Sequence, residues 1–343
     1  MPQSEVPAAA VVPRRAVGWF AAAVLLASAA VFVVVRAAGP DAIADVLAAV
    51  DPRLLPLVLV VQLASSATLT QVYRTTYASQ GGRLGFRDAL TVCLGAFSLT
   101  QLLPGGGAAG SVFVVSRLRR HGADPVRAVT TAVLLGLVTM GTLGIGLSLA
   151  TAFTAVSTGR HAAYAAASIA VTTALLLVYA LLRRLSGSQR LRAGLADRLA
   201  RLQWRGRVVG PGWSAGLRRH GALLEHPRSL LRPAAWSAVN WSLDVAVLAL
   251  VLGAVGADAP FVGVLVGFAV ANLLNGLPST PGGIGVVDAG LAGTLIAFGA
   301  DPVATSVGVL AYRATAFWLP VLVAAPVVAT GLHRTPQLVE VAA

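Results

Sequence analysis

Leu277-Pro278-Ser279-Thr280-Pro281-Gly282-Gly283-Ile284-Gly285 is the stretch whose reading decides the fold, together with an earlier one, Leu103-Pro104-Gly105-Gly106-Gly107-Ala108-Ala109-Gly110. Both clusters break helices, neither contains a charge, and each lies between two apolar arms. Turns in water usually carry polar groups. Uncharged breaks between apolar arms predict re-entrant hairpins or broken helices inside a bilayer, where irregular backbone survives only if protein or a cavity covers it. Paired interruptions in two halves of a transporter point to its binding site.

Working outward, 57% of the 343 residues are hydrophobic and 11% are charged. That is about half the charged fraction of a soluble domain. Residues 16–35, 128–159 and 162–182 contain no Asp, Glu, Lys or Arg, and a span needs about 20 apolar residues. The runs do not alternate as the strands of a β-barrel would. The fold class is therefore an all-α polytopic membrane protein. About six full transmembrane helices plus two re-entrant helical hairpins are expected, or equivalently eight or more membrane segments.

The segments follow in order. Residues 1–15 form a cytoplasmic tail. Arg14-Arg15 could open an export signal, but the apolar run after them is long and ends at Arg36, which favours an uncleaved first helix over 16–36. The first membrane half, 16–182, continues with a short acidic stretch (Asp41, Asp45, Asp51), a helix over 54–73, a hairpin near 89–118, and helices over 126–155 and 161–182. An Arg-rich cytoplasmic connector fills 183–232. The second half, 233–332, has a helix over 233–256, a hairpin near 260–299 and a last helix over 302–331. Residues 333–343 form a second tail.

All 26 basic residues are Arg, and the net charge is +13. With the N-terminus in the cytoplasm, 22 Arg fall on the cytoplasmic side, three on the other, and Arg313 within a helix. This asymmetry places both termini inside. The expected location is the cytoplasmic membrane, multi-pass. The same bias explains the basic charge without nucleic acid as a partner. The two tips, read from Leu103-Pro104 and Leu277-Pro278, then open to opposite sides, and an inverted repeat is expected. In the connector, Leu191, Leu195, Leu199 and Leu202 share a helical face flanked by Arg. It reads as an interfacial helix on anionic lipid or as a plain cytosolic link between the halves.

Ionisable groups inside a membrane are costly, and Asp244, Asp288 and Arg313 stand out. Arg313 lies about 17 Å along the last helix at 1.5 Å per residue, near the midplane. It either binds an anionic headgroup, with Asp288 tuning it, or forms an internal pair that locks the last helix to the hairpin. The glycines at 105, 106, 107, 282, 283 and 285 either expose helix N-termini to a phosphate or only permit tight packing. Tyr312 and Asn275 complete the expected substrate-binding set. Asn240, Asn272, Gln101 and Ser98 read mainly as interhelical hydrogen bonds. Cys93 is the lone cysteine and the five histidines are scattered, so no metal site is expected. No catalytic triad, Walker loop or dinucleotide fingerprint is present. The reading is therefore a protein that is not an enzyme and needs no cofactor.

Beyond these residue-level readings, Pro278 through Asp288 resembles the P-x-x-P-G-G-I-G-x-x-E signature of the lysylphosphatidylglycerol synthase transmembrane-region family. Tyr312-Arg313 and Phe317-Trp318-Leu319-Pro320 are similar to its YR…FWLP ending. Leu103-Pro104-Gly105-Gly106 with Arg117-Leu118-Arg119-Arg120 is similar to its first-half motif. The resemblance covers about residues 15–332. It implies a flippase-like domain that moves lipids, including aminoacylated phosphatidylglycerol made by a fused synthase domain in two-domain members. No synthase domain is expected within these 343 residues. Asp288 stands where the family usually has Glu, and Thr130–Gly146 is uncharged where the family often carries charge. The expected function is movement of an anionic or aminoacylated phospholipid, or a related lipid-linked substrate, across the membrane. The alternative is a non-transporting scaffold for a cell-envelope lipid enzyme. Expected partners are anionic lipid headgroups. A separate lipid-modifying enzyme and a homo-oligomer are further partners the reading allows.

Overall fold

Gly122-Ala123-Asp124-Pro125-Val126 and Gly299-Ala300-Asp301-Pro302-Val303 are the same five residues and make the same turn. Each glycine has left-handed backbone, φ 80° and 96°, which glycine adopts without steric cost. The next N–H returns to the preceding helix, Ala123 to Leu118 O (3.0 Å) and Ala300 to Leu295 O (3.2 Å). The aspartate then caps the following helix. Asp124 Oδ1 accepts from Arg127 N (3.0 Å), and Asp301 Oδ1 accepts from Ala304 N (2.8 Å). Proline at the first helical position gives up only an N–H that has no partner there.

These turns stand 177 positions apart, as do Pro104-Gly105-Gly106 and Pro281-Gly282-Gly283. The chain thus contains one unit twice: a long helix, a hairpin of two shorter helices, and a second long helix. The two Leu-Pro pairs suggest a shift of 174, but the turns fix it at 177.

The computed structural model describes residues 39–102, 106–157, 227–275 and 283–333, with short pieces between 169 and 208. Helix α1 is Pro40–Ala48. The first unit comprises α2 (Leu54–Ser79), the hairpin α3 (Phe86–Leu102) and α4 (Gly106–Arg120), and α5 (Pro125–Ser157). The second comprises α6 (Leu231–Ala254), the hairpin α7 (Phe261–Asn275) and α8 (Val286–Ala297), and a last helix. That last helix runs as α9 (Pro302–Arg313), one π turn (Ala314–Trp318) and α10 (Leu319–His333). Among the described residues four helices are long and apolar enough to cross a membrane: Leu54–Ser79, Pro125–Val156, Arg228–Ala254 and Pro302–Pro326. The other two expected spans (16–36 and most of 161–182), most of the connector, residues 103–105 and 276–282 of the tips, the first tail and residues 334–343 lie outside the described residues. The chain is a polytopic helical membrane protein. Within the connector, Gln203–Trp204 pairs antiparallel with Arg207–Val208, a two-residue ribbon that the Leu periodicity does not anticipate.

The hairpin helices have 17, 15, 15 and 12 residues, or about 18–26 Å at 1.5 Å per residue. All fall short of a core of about 30 Å. The equivalent helices α2 and α6 pack against each other. Val58 clusters with Val247 and Val251, while Ser65 meets Asn240 and Asp244. Position numbers therefore run in opposite senses, so these helices are antiparallel, as an inverted repeat requires. One buried cluster centres on the first hairpin (Val92, Phe113, Leu118) and another on the second (Phe268, Leu291, Leu295). Leu59, Val60 and Leu63 of α2, Leu149 and Phe153 of α5, and Leu322 face outward. Such an apolar exterior suits lipid, where the drive to bury these side chains vanishes.

Candidate functional site

Three elements of the second unit carry the charged groups. Asp288 is the third residue of α8, and its Oδ2 accepts from the N–H of Gly285 (3.0 Å), just before the helix. Its other oxygen, Oδ1, accepts from Arg313 Nε at 2.7 Å. One carboxylate thus caps α8 and ties the second hairpin to the end of α9. The pair is largely buried, with side chains 13% (Arg313) and 16% (Asp288) exposed. The Arg313 guanidinium also lies over the Phe317 ring, 4.8 Å from its centroid. A cation over an aromatic face is attracted by the ring quadrupole. Phe317 belongs to the π turn, and such turns re-aim side chains within a helix.

The third charge is Asp244, about 20 Å along α6 from Leu231 at 1.5 Å per residue. Its Oδ1 accepts from the Ser65 hydroxyl of α2. Asn240, one turn earlier, donates to the same hydroxyl oxygen (2.8 Å) and to the Ser65 carbonyl (3.2 Å). A short polar relay therefore joins the two long helices. Beside it, Trp241 Nε1 donates to the Thr139 carbonyl of α5 (3.0 Å), and Thr142 and Ser237 share a hydrogen bond of 2.6 Å.

Asp288, Arg313, Phe317, Asp244, Ser65, Asn240, Trp241 and Thr139 all line one cavity of about 690 Å³. Both hairpins reach it, the first through Gly107, Gly110 and Ser111 and the second through Asn275, Gly283 and Asp288. Helix α2 contributes Gln62, Ser65 and Ser66, α5 contributes Gly136 and Thr139, and the last helix contributes Tyr312 and Arg313. The cavity follows the repeat. Ser111 and Asp288, Val114 and Leu291, Gly136 and Arg313, and Met140 and Phe317 are pairs at the 177-residue shift, and all eight line it. Asp244, Asp288 and Arg313 are the charged residues among its described lining.

Of the expected binding residues, Arg313, Asp288, Tyr312, Asn275, Gly283 and Gly107 line the cavity. Gly106 begins α4. Gly285 precedes α8 with φ 88°, and its N–H is held by Asp288, so a protein carboxylate already satisfies that donor of the second tip. Gly105 and Gly282 lie outside the described residues. Asn240 makes the expected interhelical hydrogen bonds, to Ser65 of α2, whereas Asn272 donates to Phe268 O of its own helix (2.9 Å). Gln101 lines the cavity, whereas Ser98 is fully buried. The contribution of α2 was not anticipated, although Gln62, Ser65, Ser66, Leu69 and Tyr73 recur at helical spacing and all line the cavity. Among the described residues, no group of three or more His, Cys, Asp or Glu could hold a metal ion.

The family profile of the Lysylphosphatidylglycerol synthase TM region matches residues 20–324, and the chain belongs to that family. No curated protein matches the chain in a direct sequence comparison.

Proposed function

We propose that this protein is a flippase-like lipid transporter. It would pass an anionic or aminoacylated phospholipid, or a related lipid-linked substrate, across the cytoplasmic membrane. One observation carries the reading: both helical hairpins end at one cavity that holds Arg313, Asp288 and Asp244, inside a bundle whose outer faces are apolar. A headgroup crossing hydrocarbon must lose its water. A cavity with charged and amide groups offers replacement contacts at that depth, while the acyl chains stay in lipid. The Arg313 guanidinium, a planar five-donor group suited to phosphate, is the headgroup anchor. Asp288 holds it in place and lowers the net charge the phosphate meets. Membership of the lysylphosphatidylglycerol synthase transmembrane family supports a lipid as the cargo. The Arg distribution supports cytoplasmic termini. A lipid-modifying enzyme would supply the cargo. Movement would be passive or driven by an ion gradient or membrane potential.

The test is headgroup accessibility of labelled anionic, zwitterionic and aminoacylated lipids in liposomes containing the purified chain, compared with Arg313→Ala. Movement of one lipid class, lost in the variant, is the expected result. No movement of any lipid by folded protein under an imposed ion gradient would reject transport and favour the scaffold reading. Normal movement by folded Arg313→Ala would reject the assigned role of Arg313.

A further inference from the structure

A second, smaller hollow of about 260 Å³ adjoins the cavity on the side where α2 and α3 meet the start of α10. Its wall, among the described residues, carries no charged residue and is almost wholly apolar. Leu63, Phe86, Leu90, Leu94 and Val323 form most of its wall. Gln62, Ser66, Leu94 and Pro320 line both spaces, so the two lie side by side across these four residues. The outer lip is open to the lipid phase, with Leu63 64% and Val323 57% exposed. The inner end is closed to it, with Leu94 only 9% exposed and Gln62 4%. Gln62 Oε1 has no hydrogen-bond partner among the described residues. A buried, unpartnered amide oxygen is unfavourable, and here it stands where apolar wall gives way to the cavity that holds the charges.

We propose that this groove holds one acyl chain of the lipid whose headgroup occupies the cavity, with Gln62 at the glycerol region between them. The inference rests on the transporter reading and deepens it. Charged cavity, buried amide threshold and apolar groove occur in the order headgroup, glycerol backbone and hydrocarbon of one phospholipid. The groove also gives the cargo a lateral path, between α2–α3 and α10, that keeps its chain in an apolar environment throughout. A water-soluble phosphate compound would use the cavity and leave the groove empty. Hydrocarbon contact is what separates a lipid cargo from a soluble one.

The experiment uses the full chain in phosphatidylcholine vesicles with two photoreactive phosphatidylglycerol probes at low mole fraction. One carries a diazirine within an acyl chain, the other on the headgroup, and adducts are mapped by mass spectrometry. Bulk lipid reaches Leu63 and Val323 in any case, so the decisive position is Leu94. The expected result is saturable labelling of Leu94 and its neighbour Leu90 by the chain probe, and of cavity residues such as Tyr312 and Ser111 by the headgroup probe. Filling the groove with Leu63→Trp and Val323→Trp, both at exposed sites that tolerate change, should weaken chain labelling about tenfold, or 1.4 kcal/mol. Headgroup labelling in the cavity with chain adducts confined to outward faces such as Phe153 would overturn the groove and leave the transporter intact. Failure of both probes to label cavity or groove would overturn both. The wild-type map decides by itself if the tryptophan variant does not fold.

Discussion

Replacing Asp288 by Ala should harm this protein more than replacing Asp288 and Arg313 together. In the native fold Asp288 makes two bonds, to Arg313 Nε (2.7 Å) and to Gly285 N (3.0 Å), and the pair is largely buried. Removing only the carboxylate takes the anionic partner from a largely buried guanidinium that keeps its contact with the Phe317 ring, a loss of up to about 3–5 kcal/mol. The freed Gly285 N–H adds roughly 1 kcal/mol, as for other lost N-terminal caps. Removing both side chains takes away the unbalanced charge as well, so the double variant should recover about 2–4 kcal/mol of that loss. Asp288→Asn keeps an oxygen for either donor and should lose roughly 1–3 kcal/mol, since the bond is no longer charge-assisted. The assay is reversible unfolding in mixed micelles followed by tryptophan fluorescence, run as a double-mutant cycle. Additive effects, within about 0.5 kcal/mol, would show that the two groups act independently and would refute the reasoning.

Asp244→Asn should leave folding nearly unchanged, because its oxygen can still accept from Ser65. It should raise movement of an anionic lipid, by up to about tenfold, since it takes an ionisable carboxyl out of the wall of the cavity the headgroup occupies. An unchanged or lower ratio of phosphatidylglycerol to phosphatidylcholine movement would contradict this. Gly110→Ala should pry the first hairpin apart, because an added Cβ meets Thr100 Oγ1 and comes within 2.8 Å of the Ala96 carbonyl. Gly95→Ala should act alike against the Phe113 ring, each losing about 1–3 kcal/mol as overpacked sites do. Gly141→Ala has nothing within 4 Å and should gain up to about 1 kcal/mol of helix propensity. The same micelle assay checks all three, and equal stabilities would refute the tight-hairpin account.

Much of this was legible because a bilayer restricts what a sequence can do. The uncharged run 128–159 falls on α5, and an intramembrane Arg required a partner that Asp288 was placed to supply. Helix ends were less legible. Arg74 reads as the exit of α2, yet the helix continues to Ser79 because the long side chain reaches back to Leu84 O (3.1 Å) while Thr75, Thr76 and Tyr77 stay buried. Helix α1 reads as an acidic linker, although Pro40 and Asp41 are helix-start residues. The partner of Asp244 was not legible, because Ser65 lies 179 positions away and serine marks no particular contact. The π turn leaves no recognised signature either. The repeat was in the letters all along, in two copies of Gly-Ala-Asp-Pro-Val, but the eye is drawn to the glycine tips, where the prolines suggest a different shift.

The repeat also shows what is not symmetric. Arg313, Asp288 and Asp244 correspond, at the 177-residue shift, to Gly136, Ser111 and Ala67. Gly136 and Ser111 line the same cavity, so geometry alone does not explain why one unit carries every charge. A charge in hydrocarbon is tolerated where a second group answers it, and here the answers come from within the second unit or from the neutral Ser65. The first unit therefore supplies a neutral polar wall and the second a charged one, across a cavity of shared shape. The apolar groove breaks the symmetry in the same sense. It opens between α2, α3 and α10, whereas at the equivalent place α5, α6 and α7 are joined by the Thr142–Ser237 and Trp241–Thr139 hydrogen bonds and by Trp241 packed edge-on against Phe268. Two copies of one backbone thus enclose the cavity, and a few side chains decide which wall attracts a charge and which flank admits a chain.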